Sequence, residues 1–453
     1  MNTKTVIFDL RSLPDAKLTA AMVAGIPALD RTMLALQRVD DGGGDGRAEP
    51  LYTRALLLAH PDEREELEGL VGRTARVTME QTWLEDEGVG FGAVLEADAL
   101  DGADEVLYWP ADVTFGRFIP QLARESAPVD GALAPTADSG PALLSTAALE
   151  RHRDLGPDEL LDALDGEEKL ERVELELEAV QIREPADSKR AEDALMVSLR
   201  KPVDGAVAKY DRYISLAISR PLMRLPIHPN AITVLAGVAG VACGLIAAQG
   251  TYWTLLAAAL IFELNGILDG IDGEISRAKL LESRTGQWLD TISDDISNLA
   301  FFTGAAVGCW RYYDSSLYLV LGVVATVGFL IAIGLQYHYL LTVVGCGDLN
   351  KFKMPWEEED EEEKAKENGV KPAAFSEAAP QTRGARILES IRFLVRRDTY
   401  VFLCVVFAIP GELRVMMGFI TLGAVVTSCS ILFYRYVVPL FRRGDARAPQ
   451  DLK

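Results

Sequence analysis

Two pairs of carboxylates, set where one long apolar run ends and another begins, constrain this chain more than any other feature. The stretch from Asp269 to Asp294 reads DGIDGEISRAKLLESRTGQWLDTISD. Asp269 and Asp272 are three residues apart and Asp290 and Asp294 four apart, so on a helix each pair shares one face. Carboxylates at membrane depth are costly to place and mark functional sites. Two antiparallel helices presenting two acids each form an all-oxygen pocket of the kind hard divalent ions accept. Gly273, Gly286 and Arg277 are interleaved with the acids. A solvated acidic hairpin between membrane helices would explain the charges but has no need of the glycines.

The spacing D-x-x-D-G-x-x-A-R-x8-G-x3-D-x3-D resembles the signature of the CDP-alcohol phosphotransferases, met here by Asp269, Asp272, Gly273, Arg277, Gly286, Asp290 and Asp294. Ser276 stands where that family usually has alanine. Upstream, His228, Pro229, Asn230 and Thr233 match three of four positions of the family's T-P-N-x-x-T phrase. The resemblance implies a membrane enzyme that moves a phospho-alcohol (phosphatidyl or phosphoinositol) group from a CDP-alcohol to a hydroxyl, releasing CMP. Phosphoryl transfer needs the donor's pyrophosphate neutralised, and two Mg²⁺ or Mn²⁺ ions on carboxylates can do so. Asp269, Asp272 and Asp290 are the expected ligands, with Asp294 completing the set and resembling the family's general base. Gly273 and Gly286 leave space for the nucleotide, Ser276 adds a hydroxyl beside it, and the Arg277 fork can hold a phosphate oxygen. Asp295 lies about 100° round the helix from Asp294 and is left out.

Six apolar runs are expected to cross the bilayer: Ala231–Gln249, Tyr252–Leu268, Trp288–Trp310, Ser316–Val344, Tyr400–Pro410 and Leu413–Leu440, the fifth being short. Arg277, Lys279, Arg284, Arg392, Arg396, Arg397, Arg442 and Arg443 flank one side, against Arg311 and Arg414 on the other. By the positive-inside rule the motif and both termini are cytoplasmic. The block Glu357–Lys364 is a like-charge run expected to be solvated and partly disordered. Cys243, Cys309, Cys346, Cys404 and Cys429 fall in or beside apolar segments without CxxC spacing, and read as membrane-core residues.

Residues 1–195 read as an α/β domain. Strands are expected at Thr5–Phe8, Arg54–Leu58, Ala75–Thr78 and Val106–Trp109, and helices at Asp30–Arg38 and Pro61–Val71. Met1–Leu10 contains Asp9 and lacks a long apolar core, so no signal peptide is expected and this domain should stay in the cytoplasm. Phrases from Val23 to Thr32, Asp112 after the strand ending at Trp109, and Glu184–Asp187 resemble sugar-phosphate nucleotidyltransferases. The glycine-rich loop that would cradle triphosphate is absent from Val6–Met22, and Arg183 stands where a second metal aspartate belongs. The domain is expected to be inactive, kept for folding, dimerisation or regulation.

The fold class is thus an α/β, nucleotidyltransferase-like domain followed by an all-α polytopic membrane domain of about six helices. The expected divisions are 1–195, an amphipathic segment 196–230, the membrane domain 231–443 and a tail 444–453. In the amphipathic segment Leu199, Val203, Val207, Tyr210 and Ile214 recur at helical spacing among Arg200, Lys201, Lys209 and Arg212. Such a segment suits a membrane interface, though a linker helix packed on the α/β domain has the same pattern. The fusion resembles the inositol-phosphate cytidylyltransferase/di-inositol-phosphate phosphate synthases, which implies inositol phosphate as acceptor. Arg396 and Arg397 can bind its phosphate or serve as positive-inside anchors.

Expected partners are a CDP-alcohol donor (CDP-diacylglycerol or CDP-inositol), a small polar alcohol acceptor, the bilayer of the cell (inner) membrane and a second copy of the chain as a homodimer. The net charge of −22 excludes nucleic acid, which requires clustered Lys and Arg. A divalent-cation transporter or channel is the alternative, since intramembrane acids also line ion paths. An arginine beside the acids opposes it.

Overall fold

The computed structural model describes residues 4–39, 50–72, 74–88, 90–97, 99–100, 102–114, 127–128, 130–135, 140–173, 180–199, 206–345, 347, 349 and 397–433. Arg200, Lys201, Val203, Cys346, Arg392, Arg396, Arg442, Arg443, the acidic block at 357–364 and the 444–453 tail lie outside these. The chain divides into two compact units. One comprises Met1–Arg200, Arg220–Pro226 and Arg277–Leu280, and the other Lys201–Ser219, Ile227–Ser276 and Leu281–Lys453.

The first unit is built on a seven-stranded sheet: β1 (Lys4–Asp9), β2 (Tyr52–Ala59), β3 (Glu80–Glu85), β4 (Glu105–Pro110), β5 (Ala132–Pro135), β6 (Ala142–Ser145) and β7 (Leu170–Val173), in the order β7-β5-β6-β4-β1-β2-β3. β1 runs parallel to both neighbours, β2 and β4. Val6, Ile7 and Phe8 and Leu56, Leu57 and Leu58 have no exposed surface, as near-continuous apolar runs do in parallel strands covered on both faces. Helices α1 (Ala28–Leu36), α2 (Arg64–Glu68), α3 (Gly92–Glu96), α4 (Thr146–Arg151), α5 (Pro157–Gly166) and α6 (Asp187–Ser198) complete the unit.

The strand expected at Ala75–Thr78 is instead a turn, closed by Val77 N–H to Thr74 O at 2.9 Å, and the third parallel strand is β3. Val77 packs beside Ile26, Leu34 and Leu280, so its apolarity reports a small core. β3 is an edge strand with both terminal glutamates exposed, which masks its pattern. Arg31, Arg38 and Arg76 turn onto the segment Arg277–Leu280. Arg31 donates to Ala278 O, and Arg38 and Arg76 to Leu280 O at 2.6 and 2.8 Å. Leu280 is left-handed (φ 53°), and its carbonyl gains partners that a helix end otherwise lacks.

The second unit holds α7 (Ala206–Met223, up to Ser219), α8 (Pro229–Ala247), α9 (Tyr252–Ala278, up to Ser276), α10 (Arg284–Tyr313), α11 (Leu317–Tyr339), α12 (Arg397–Ala408) and α13 (Leu413–Ile431). α8 to α13 fall on the six apolar runs. Among the described residues four helices are long and apolar enough to cross a membrane: α8, α9, α11 with its π-helical extension to Val344, and α13. α10 does not qualify, and its sequence carries the acid motif. The described part of α12 is 12 residues long. The core gathers Phe262 stacked on Phe301 (centroids 4.2 Å apart) with buried Cys243, Cys309 and Cys404, whereas Cys429 is exposed.

The amphipathic segment is two helices rather than one. Leu199 follows α6 and is buried, while α7 is a separate helix exposing Tyr210 and Tyr213. His228 caps α8: its Nδ1 accepts from Asn230 N–H at 3.2 Å.

α8 and α10 meet through small residues. A Cβ on Gly304 would lie 2.0 Å from Gly244 O, and one on Gly240 2.0 Å from Ser297 Oγ, so the backbones approach as small-residue helix pairs do. Gly304→Val should lower stability by about 1–3 kcal/mol or more, the usual penalty for overpacking. Thermal unfolding of the detergent-solubilised protein measures this, and an unchanged midpoint would contradict the close packing.

Candidate active site

The site grows from the facing ends of α9 and α10. α9 presents Asp269 and Asp272 one turn apart. α10 begins after Ser283, whose Oγ accepts from Gly286 N–H at 3.0 Å, a cap usually worth about 1 kcal/mol, and it presents Asp290 and Asp294 on successive turns. Asp269, Asp272 and Asp290 each offer one oxygen, all within 4.8 Å of one another. Each pair of ionised carboxylates at that spacing repels by about 3 kcal/mol at an effective dielectric near 20. Asp290 Oδ1 is buried without a hydrogen-bond partner among the described residues. Clustered anionic oxygens with a buried unsatisfied lone pair fit a hard divalent cation.

Two of the acids are held from outside the motif. Thr233 donates its hydroxyl to Asp272, which is 4% exposed. Asp294 does not join the three-oxygen group; its carboxylate accepts from Arg397 Nη1, which also reaches Asp269 Oδ2 at 2.9 Å. Arg397 Nη2 donates to Asn265 Oδ1 at 3.0 Å. Of the two arginines expected near an acceptor, Arg397 therefore lies against the acids, and Arg396 is outside the described residues. Gly273 and Ser276 lie on α9 and Arg277, buried, in its last turn. Among the described residues a Cβ on Gly286 would meet Ser283 Oγ, the acceptor of the cap bond, at 3.1 Å and Asn230 Oδ1 at 3.4 Å.

Several residues went unanticipated. Asn265 stands one turn before Asp269 on the same helix face, a signal the i, i+4 spacing contained. Glu274, with no exposed surface, accepts from Arg212 (3.0 Å), Ser215 (2.5 Å) and Ser219 (2.6 Å). These three share one stripe of α7, so the helix buries a polar face there. Asp295 accepts from Tyr337 OH at 2.5 Å and so faces a different neighbour from Asp294, as the 100° offset implies.

In the α/β unit, the carboxyl end of β1 is occupied by an ion-pair network. Arg11 bonds Asp9 through Nε (3.0 Å) and Nη2 (3.1 Å), and through Nη1 reaches Asp86, Gly88 O and Gly90 O. Tyr108 OH also donates to Asp9, at 3.3 Å. Asp112 follows β4, with Arg183 Nε 3.8 Å away. Burial pushes the Asp112 carboxyl above its usual range and Arg183 opposes the shift.

Residues 226–353 match the family model described as CDP-alcohol phosphatidyltransferase, so the C-terminal half carries a domain of that family. The chain is similar to two proteins named bifunctional IPC transferase and DIPP synthase. With that of Aquifex aeolicus it is 31% identical over 125 residues, 27% of this chain and 28% of that protein. With that of Thermococcus kodakarensis it is 34% identical over 143 residues, 30% and 32% of the respective chains. The match thus spans about a third or less of each relative. A crystal structure of Mycobacterium tuberculosis phosphatidylinositol phosphate synthase with CDP-DAG bound aligns over 49% of this chain and 93% of that one, at 19% identity and a TM-score of 0.33.

Proposed function

We propose that this chain is an integral membrane phosphotransferase that moves a phospho-alcohol group from a CDP-alcohol to a hydroxyl acceptor, inositol phosphate in our reading, and releases CMP. The observation carrying this is the convergence of Asp269, Asp272 and Asp290 within 4.8 Å, with Asp294 one turn on. Asp269, Asp272 and Asp290 would hold Mg²⁺ or Mn²⁺, two ions in our reading, which when bound neutralise the donor's pyrophosphate and its leaving CMP.

Thr233 keeps Asp272 aimed at the cluster. Gly273 and Gly286 would admit the nucleotide, and Arg277 and Ser276 would hold its phosphate and ribose side. Asp294 would take the proton of the attacking hydroxyl, whose oxygen bonds to the β-phosphorus as the bond to CMP breaks. Arg397, with Arg396, would meet the acceptor's phosphate. The names of the Aquifex and Thermococcus relatives support this acceptor class, and the family match supports the donor. The α/β domain and the C-terminus would face the cytoplasm, and two chains would pair as a homodimer.

The α/β domain makes no CDP-alcohol in this reading. Arg11, one of two cations in Val6–Met22 with Lys17, is already bound by Asp9 and Asp86, and Arg183 faces Asp112. The full chain incubated with CTP, Mg²⁺ and inositol phosphate should release no pyrophosphate. Pyrophosphate that disappears in Asp112→Ala would show a working cytidylyltransferase instead.

The reaction itself is tested by supplying purified protein with CDP-diacylglycerol or CDP-inositol against a panel of alcohols and phosphorylated alcohols, and identifying the phosphodiester formed. CMP release with inositol phosphate is the expected result. Turnover only with unphosphorylated alcohols would overturn the acceptor assignment while leaving the transferase.

A further inference from the structure

We propose that Arg397 is a positioning residue acting as the internal counter-ion of the acid cluster, and that it yields Asp269 when a divalent ion binds. The inference rests on the metal reading above and goes beyond it by assigning a competitor for one ligand. Asp269 is claimed twice: its carboxylate belongs to the three-oxygen group, and its Oδ2 takes Arg397 Nη1 at 2.9 Å. The same nitrogen donates to Asp294, so one guanidinium ties the first acid of α9 to the last acid of α10.

The guanidinium is aimed rather than loosely placed. Asn265, 1% exposed, donates its amide to Ala236 O, which fixes the direction of the Oδ1 that receives Arg397 Nη2. Arg397 is the first described residue of α12, whose Val401, Cys404 and Val405 are buried in the helical core. The backbone carrying the guanidinium is therefore anchored one turn away.

Two consequences follow from a cation at this place. It offsets the mutual repulsion of the carboxylates and keeps Asp269 and Asp294 oriented before loading. It also opposes a second cation at the cluster, because a bound ion competes with Arg397 for the Asp269 carboxylate and sits near a like charge. After the exchange Arg397 retains Asp294 and Asn265, and it stands freed on one side, where our reading places the acceptor phosphate.

The test is Mn²⁺ binding to the full chain in detergent or nanodiscs, followed by electron paramagnetic resonance, with thermal unfolding recorded alongside. Arg397→Gln, which keeps a hydrogen-bonding side chain but no charge, should bind Mn²⁺ at least about tenfold more tightly, the direction set by removing a like charge a few ångströms away. Its midpoint without metal should fall, and Mn²⁺ should raise it by more than in the wild type. Arg397→Lys, retaining the charge, should bind Mn²⁺ close to the wild-type affinity. Unchanged or weaker Mn²⁺ binding in Arg397→Gln, with Asp290→Asn still abolishing it, would overturn the role of Arg397 alone. If the wild type binds no Mn²⁺ that Asp290→Asn lacks, the metal reading fails and this inference with it.

Discussion

Asp290→Asn should abolish measurable CMP release from a CDP-alcohol. The substitution preserves shape and removes one charge from a group of three oxygens packed within 4.8 Å. An amide oxygen is a weaker ligand for a hard ion than a carboxylate, and the amide NH₂ places donors where Asp290 Oδ1 now lies buried without one. The loss in rate should be at least as large as the roughly 10²–10⁴ that a single acid–base group supplies, and Mn²⁺ binding should fall in parallel. Retained CMP release in this variant, or in excess chelator, would contradict the assignment of these acids to metal.

Asp294→Asn should separate chemistry from binding. Asp294 lies outside the three-oxygen group and is paired with Arg397, so its removal leaves the proposed ligands intact. Turnover should drop by about 10²–10⁴, chiefly in kcat, while Mn²⁺ affinity falls by much less than in Asp290→Asn and donor affinity stays near wild type. Those affinities distinguish a base from a ligand. If Mn²⁺ binding falls as far as in Asp290→Asn, Asp294 is a metal ligand and the base must be sought elsewhere.

The legible part of the site was what helix periodicity determines. The spacings of Asp269, Asp272, Asp290 and Asp294 fixed which acids share a face, and three of the four converge. The family spacing likewise singled out Thr233, although its contact with Asp272 needed the crossing of α8 and α9. Glu274 stayed hidden because its partners Arg212, Ser215 and Ser219 sit on α7, some 55–62 positions away. Its own neighbourhood in the sequence reads as ordinary motif filler.

For Arg397 the sequence leaves an acceptor-phosphate role and a positive-inside anchor equally open, because charge and topology do not show the 128 positions separating it from Asp269 closing to 2.9 Å. In the α/β unit the buried strands β1, β2 and β4 announced themselves as apolar runs. β3 did not, since its central residues are only half-buried at the sheet edge and it carries exposed glutamates at both ends. Likewise, the missing glycine-rich loop was visible, but the Arg11 network in its place was not. Its acceptors come from Asp86, Gly88 and Gly90, distant in the chain.

The most direct measurement is CMP formed by the full-length protein in vesicles, followed together with divalent-ion flux across the same bilayer. With CDP-alcohol, acceptor and Mg²⁺ present, CMP and phosphodiester should appear in equal amounts. Formation should stop on chelation and be lost in Asp290→Asn, with no net movement of Mg²⁺ or Mn²⁺ across the membrane. Ion flux that depends on Asp269, Asp272 and Asp290 without CMP release would contradict the account and make these helices a cation path.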